Sequence, residues 1–189
     1  MALLTVLYDA SVLYPVPLRD LLMRLALIDV FRARWTADIH GEWMRNVLQS
    51  RPDLTCAQLE RTRALMDADV RDCLVKGYQS MIPRLQLPDP EDRHVLAAAI
   101  RAKADGIVTF NLKDFPAEQL ARYRITTQHP DVFIANLFAR ESAKVCEAAA
   151  AQRRSLRNPP KTREEFLDIL SKQRLPQTVA LLRTQCTQF

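Results

Sequence analysis

The chain has 189 residues, of which 48% are hydrophobic and 26% charged, a composition that excludes a mostly disordered protein. This length is enough for one sizeable hydrophobic core. No apolar run approaches the ~20 residues that a membrane-spanning helix needs. The first 17 residues contain Asp9 and lack a basic start, so we expect neither a signal peptide nor contact with a membrane. We therefore expect a cytoplasmic protein.

The net charge of +5 originates in the last part of the chain. Residues 140–189 carry ten Lys/Arg and five Asp/Glu, whereas residues 1–139 carry 17 of each. A basic segment next to a neutral body suits contact with phosphates or with an acidic protein. A solvated helical surface has the same composition, so the charge alone leaves both interpretations open.

The four cysteines, Cys56, Cys73, Cys146 and Cys186, are far apart in the sequence and include no CxxC pair. This spacing is typical neither of a zinc site nor of a disulfide framework in a chain of this length. We therefore predict four reduced thiols, as in most cytoplasmic proteins.

The first half of the chain alternates between short apolar runs and amphipathic helical patterns. We predict strands at residues 3–8 and 33–36, and helices at 18–31, 37–49 and 55–76, the last of them stopped by Gly77. Residues 81–87 resemble a strand, but Pro83 restricts them to a sheet edge or a loop.

A helix start follows at Asp89, with Asp89 as the N-cap and Pro90 as the first helical residue. We predict this helix to about residue 104, and strands at 107–110 and 124–128. From residue 131 onward only helical patterns occur. They are broken near residues 158–160, and a capping box from Thr162 to Glu165 opens the next helix. Strands that alternate with helices predict an α/β fold around a parallel sheet, followed by a helical extension.

Acidic side chains occupy positions where a parallel sheet binds ligands. Asp9 ends the first strand, and Asn111 and Asp114 follow the strand at 107–110, although turns and caps also favour Asp and Asn. Asp92 lies in the middle of the apolar arc of its helix, where an unpaired carboxylate is costly. A cap, a basic partner or a cation would offset that cost. Glu42 borders the apolar stripe of its helix. A glutamate without a functional role often occupies such a position as well.

These oxygen ligands, if they converge, select Mg²⁺ or Mn²⁺ rather than zinc. His40, His94 and His129 are predicted to be surface or cap residues, and no GxSxG accompanies them. The sequence lacks GxGxxG and GxxxxGK[ST], which excludes the common nucleotide-binding loops. The segment Asp9-Ala-Ser11 also lacks the second aspartate of haloacid-dehalogenase-like phosphatases.

Four stretches that contain these acids resemble, in order, the motifs of PIN-domain nucleases, particularly the VapC-like toxins of bacterial toxin–antitoxin pairs. The stretches are residues 6–13, 36–43, 87–99 and 107–115. Relatives often have a fourth acid where this chain has Asn111, with Asp114 three residues further on. Residues 158–166 and 175–178 resemble extensions found on some VapC-like proteins.

The resemblance implies a three-layer α/β/α fold with a central parallel sheet, a PIN-like domain at residues 1–139, and a basic helical extension at 140–189. It implies an Mg²⁺- or Mn²⁺-dependent endoribonuclease in which Asp9, Glu42 and Asp92 hold the metal and Asn111 and Asp114 assist. It also implies an antitoxin partner and, as in many relatives, a homodimer. Two alternatives stay open: a catalytically silent module that binds RNA or protein, and cleavage of structured DNA by the same site.

Overall fold

The computed structural model describes residues 3–186, which form two compact units. The first unit contains residues 3–14 and 31–129, and the second contains residues 15–30 and 130–186. The boundary predicted between residues 139 and 140 lies inside the long helix Pro130–Ser155 and stays a prediction. Within the described residues, no helix combines the length and apolarity that a membrane span requires.

The first unit is built on a four-stranded parallel sheet. Its strands are β1 (Thr5–Tyr8), β2 (Arg32–Arg34), β3 (Gly106–Val108) and β4 (Thr126–Gln128), in the order β2-β1-β3-β4. In β1, Leu7 pairs with Arg34 on one side and with Ile107 on the other. Strands β1 and β3 are central and covered on both faces, which is why their residues are nearly all apolar. This sheet, with its flanking helices, confirms the predicted α/β fold.

The helices of the first unit are α1 (Ala10–Leu13), α3 (Ala37–Ser50), α4 (Cys56–Asp69), α5 (Arg93–Arg101) and α6 (Ala117–Ala121). Three 3-10 turns, Gln79–Arg84, Pro90–Asp92 and Leu112–Asp114, connect them. Thr36 caps α3 by accepting a hydrogen bond from the Ile39 amide, and the predicted apolar stripe of α3 is buried.

One local prediction in this unit is wrong. Helix α4 ends at Asp69 rather than near Gly77 because the chain then runs beside Trp35. The Trp35 amide donates to the Cys73 carbonyl, and the Val75 amide donates to the Trp35 carbonyl. The segment at 81–87 is a loop rather than an edge strand, which is one of the two possibilities that Pro83 leaves open, and its first residues belong to the 3-10 turn Gln79–Arg84.

The second unit is helical, as predicted for the end of the chain. It contains α2 (Val16–Leu27), α7 (Pro130–Ser155), α8 (Arg163–Ser171) and α9 (Pro176–Gln185). The break near residues 158–160 separates α7 from α8, and the capping box between Thr162 and Glu165 is present. Both predictions are confirmed.

A disulfide joins Cys146 in α7 to Cys186 just after α9. The prediction of four reduced thiols is therefore wrong for this pair, while Cys56 and Cys73 are free. The two bonded residues are 40 positions apart, and their Cα atoms lie 5.5 Å from each other. Helix packing creates this proximity, which cysteine spacing along the chain does not reveal.

A buried carboxylate caps α9. Asp131 is only 2% exposed, and its oxygens accept hydrogen bonds from the Gln177 amide, the Thr178 amide and the Thr178 hydroxyl at 2.8–2.9 Å. The first amides of a helix have no acceptor within the helix, so they need an acceptor of this kind from elsewhere.

We predict that Asp131→Ala lowers the free energy of unfolding by about 2 kcal/mol, since it leaves buried donors without an acceptor. Denaturant unfolding of the purified protein measures this loss. Asp168→Ala, at an exposed aspartate of α8, is the matched control. Equal stability of the two variants would contradict the capping role.

Candidate active site

Asp9 lies where β1 ends and α1 begins. It is 2% exposed and acts as the N-cap of α1, with its Oδ1 accepting from the Ala10 amide at 2.8 Å. Its Oδ2 accepts from the Ser11 hydroxyl at 2.6 Å and from the Thr109 hydroxyl at 2.8 Å. Burial raises the pKa of Asp9, and the hydrogen bonds from these two hydroxyls only partly offset the effect.

The same hydroxyls connect Asp9 to the loop after β3. The Phe110 amide donates to the Ser11 hydroxyl oxygen at 3.2 Å, and the Asn111 amide donates to the Thr109 hydroxyl oxygen at 2.9 Å. Each hydroxyl thus accepts from the loop backbone and donates to the carboxylate. The orientation of Asp9 is therefore determined by both β1 and β3.

Asp92 is not a helix cap in the usual sense. It occupies the N-cap position of α5, but its side chain makes no capping hydrogen bond. Asp89 instead accepts from the Glu91 amide at 2.9 Å and caps the 3-10 turn, as predicted. The capping explanation for the position of Asp92 is thus not supported by the structure.

The electrostatic environment of Asp92 shows that the acids share one region. Burial, as the larger cause, and the charges of neighbouring carboxylates together raise the pKa of Asp92 to about 7. Those neighbours, in decreasing order of effect, are Asp9, Asp89, Asp114 and Glu42. The charge of Glu42 in turn raises the pKa of Asp9. The structure therefore places Asp9, Glu42 and Asp92 close enough for their charges to repel one another.

Glu42 has a partner that the sequence did not indicate. Its Oε2 lies 3.6 Å from Nε2 of His94, a side chain that is 18% exposed. Burial lowers the pKa of His94, but the interaction with Glu42 and the charges of Asp38 and Asp9 together outweigh burial, so the net shift is upward. The prediction that His94 is a surface or cap residue is wrong, because its imidazole faces the acids. His94 lies two residues after Asp92 in the sequence.

A cleft of about 520 Å³ contains most of these groups. Its acidic and amide lining residues include Asp38, Glu42, Asp89, Asp92, Asn111 and Asp114. Within residues 3–186, no lysine or arginine forms an ion pair with Asp9, Glu42, Asp92 or Asp114, although Arg45 also lines the cleft. Apart from His94 beside Glu42, these four acids therefore have no basic partner among the described residues.

The donor chemistry of the cleft fits a hard divalent cation, because it offers carboxylate and amide oxygens and no thiol. Among the described residues, however, no three acidic, histidine or cysteine side chains already converge into a ligand set. Mg²⁺ commonly binds through one or two carboxylates and retains several waters. An open cleft with dispersed carboxylates is compatible with that mode of binding.

A buried polar network supports α3, the helix that carries Glu42. His40 is fully buried, and its Nε2 donates to Asp67 of α4 at 2.9 Å while its Nδ1 accepts from the Trp43 indole at 2.9 Å. The Trp35 indole donates to the same Asp67 oxygen at 2.7 Å. Burial lowers the pKa of His40, in keeping with a neutral imidazole. The prediction of a surface role is therefore wrong for His40 as well.

His129 packs its ring edge against Phe110, with ring centroids 5.1 Å apart. It is half-buried and outside the acidic cleft. The surroundings of His40, His94 and His129 could not be predicted from sequence, because each ring contacts a residue from a distant part of the chain.

Comparison with known proteins relates this arrangement to a family. The model of the PIN domain matches residues 5–113, which is more than half of the chain. The chain belongs to the PIN-domain family. A second model, the VapC50 C-terminal domain, matches residues 130–184. The predicted resemblance to VapC-like PIN proteins is thus confirmed, including that of the C-terminal part.

One curated relative in this family is named "Putative ribonuclease VapC50", from Mycobacterium tuberculosis (strain ATCC 25618 / H37Rv). It is 36% identical to the chain over 107 residues, which cover 57% of this chain and 62% of the relative. The match thus spans less than two thirds of the relative's length. No solved structure shows significant similarity.

The raised pKa of Asp92 predicts how stability depends on pH without metal. With a pKa of about 7 rather than the ordinary value near 4, folded Asp92 keeps a proton that unfolded Asp92 has lost. Stability of the metal-free protein should therefore fall as pH rises from about 4 to about 7. Asp92→Asn should remove this part of the dependence and stabilise the protein at neutral pH.

Thermal unfolding in EDTA across this pH range measures the effect. Asp168→Asn, at an exposed position in α8, is the control and should retain the parent's pH profile. If Asp92→Asn also retains that profile, Asp92 does not carry the shifted pKa.

Proposed function

We propose that this PIN-domain protein is an Mg²⁺- or Mn²⁺-dependent endoribonuclease that cleaves RNA phosphodiester bonds as the toxin of a toxin–antitoxin pair. The observation that carries the proposal is the group of carboxylates that share one cleft without an ion pair to a lysine or arginine of the described residues. Such a group favours binding of a cation, because each carboxylate raises the cost of ionising the others. The name of the curated relative supports RNA as the substrate.

Asp9, Glu42 and Asp92 would hold the metal, directly or through waters, and Asn111 and Asp114 would assist them. The bound cation lowers the pKa of a water molecule and offsets negative charge on the phosphate. Coordination also favours the ionised form of Asp92, whose pKa near 7 leaves it partly protonated without metal.

The chain's own groups would keep these ligands in place. The hydroxyls of Ser11 and Thr109 donate to one oxygen of Asp9, so its carboxylate enters the site in a defined orientation. His94 would likewise position Glu42. This pre-organisation matters because small displacements of catalytic groups reduce rates strongly.

Binding of the RNA backbone requires positive charge outside the acidic cleft. Lys113, in the turn after β3, and Arg93, at the start of α5, are the nearest basic residues in sequence to the acids. The basic C-terminal segment would add further contacts with phosphates. We further propose that a cognate antitoxin blocks the cleft, that the toxin works in the cytoplasm, and that it forms a homodimer.

The second candidate is a catalytically silent PIN-like module that binds RNA or a partner protein. Two observations favour it. Asn111 stands where relatives often have a fourth acid, and the described residues contain no ready set of three ligands. Activity measurements separate the two candidates, and parallel assays on RNA and structured DNA test the substrate class.

We predict that Asp9→Asn reduces metal-dependent RNA cleavage by about 100-fold or more, because an amide is neutral and binds Mg²⁺ weakly. The fold should persist, since the Asn oxygen still accepts from the Ala10 amide and the hydroxyls of Ser11 and Thr109 can rotate to accept. Gel-based cleavage of single-stranded RNA in Mg²⁺ or Mn²⁺, with EDTA as the negative control, measures the loss.

Asp69→Asn, an exposed substitution at the end of α4, is the matched control and should cleave as the parent does. Undiminished cleavage by Asp9→Asn would contradict the assignment. Absence of cleavage by the parent itself, with metal present, would favour the silent module.

A further inference from the structure

A second groove in the first unit has a different character from the acidic cleft. It has a volume of about 470 Å³, and its lining residues are Ser11, Tyr14, Asn46, Gln49 and Ser50. None of these residues is charged. Ser11 belongs to both regions, because its hydroxyl donates to Asp9 of the acidic group at 2.6 Å. The groove therefore begins next to the proposed site of cleavage.

The Tyr14 ring is held in place at this groove. Its hydroxyl donates to the Ser50 hydroxyl at 2.9 Å, and Ser50 donates to the Val47 carbonyl at 3.1 Å. Tyr14 is also 37% exposed, so part of this side chain stays accessible to a ligand. A ring that is both exposed and oriented offers a stacking surface at little cost in conformational entropy.

Two amide side chains lie beside this ring. Asn46 and Gln49 are exposed, and within residues 3–186 neither side chain has a hydrogen-bond partner. Asn46 is four residues after Glu42 and four before Ser50, so the three lie along one face of α3. The groove thus follows α3 away from the acidic cleft, and these residues are spaced by about one helical turn.

The chemistry of these groups indicates what the groove binds. A phosphate is disfavoured, because the lining has no cation and Asp9 is adjacent. A nucleobase is neutral, has a flat face that stacks on an aromatic ring, and has edges that pair with amide donors and acceptors. We propose that this groove is a nucleobase subsite, in which Tyr14 stacks on a base of single-stranded RNA next to the cleaved bond and Asn46 and Gln49 contact its edge.

This inference rests on the proposed function and makes it more specific, since it assigns a source of nucleotide preference. The acidic cleft, with its metal, would bind the phosphate, and the neutral groove would bind the adjoining base. Ser11, which touches both, would keep the two at a constant separation.

Binding of a fluorescein-labelled single-stranded RNA, followed by anisotropy in Ca²⁺ with the probe checked by gel for integrity, tests the stacking surface. Tyr14→Ala should weaken binding about ten-fold, the scale of one lost base–aromatic stack. Tyr14→Phe keeps the ring and should stay within about two-fold of the parent. Tyr123→Ala, at a half-buried tyrosine elsewhere in the unit, is the matched control.

Cleavage-site mapping on an RNA of mixed sequence tests the edge contacts. Asn46→Ala should change the preferred nucleotide beside the cut, whereas Asn136→Ala, at an exposed asparagine of α7, should not. The inference is overturned if Tyr14→Ala binds like the parent, if Tyr123→Ala weakens binding equally, or if the parent does not bind RNA.

These outcomes separate the subsite from the proposed function. Tyr14-dependent RNA binding by a parent that never cleaves would support the groove and contradict the endonuclease. Cleavage by the parent with affinity and preference unaffected by Tyr14→Ala and Asn46→Ala would support the endonuclease and overturn the subsite.

Discussion

Mutual repulsion among carboxylates in one cleft is the main physical constraint on the candidate site. Burial and four neighbouring acids together raise the pKa of Asp92 to about 7. No lysine or arginine of the described residues forms an ion pair that relieves this repulsion. A folded protein retains such an unfavourable arrangement where a ligand compensates for it, and functional sites are where strongly shifted pKa values concentrate.

The surrounding fold holds the acids in this arrangement. The parallel sheet brings the ends of β1 and β3 side by side, so that the hydroxyls of Ser11, in α1 after β1, and of Thr109, just after β3, donate to Asp9. Helix α3, which carries Glu42, is fixed to α4 by the buried pair of His40 and Asp67. A fully satisfied polar network of this kind is rigid, so the carboxylates cannot easily move apart to reduce their repulsion.

The parts of the site that could be predicted from sequence are those that local pattern determines. Asp9 follows a buried strand, and Asp92 lies on the apolar side of its helix, so both positions could be read from periodicity. The partner of Glu42, His94, could not, because α3 and α5 meet only in the folded chain. The bond between Cys146 and Cys186 depends likewise on tertiary packing. The metal-binding roles of the acids stay predictions.

Titration of Mn²⁺ into the metal-stripped protein by isothermal calorimetry tests the central claim most directly. We expect saturable binding by the parent, weakened about ten-fold or more by Glu42→Gln. We also expect the affinity for Mn²⁺ to rise with pH through the pKa of Asp92, since the ion displaces a proton. A parent that binds no Mn²⁺, or a Glu42→Gln variant that binds it equally well, would contradict the claim that these carboxylates are arranged around a cation.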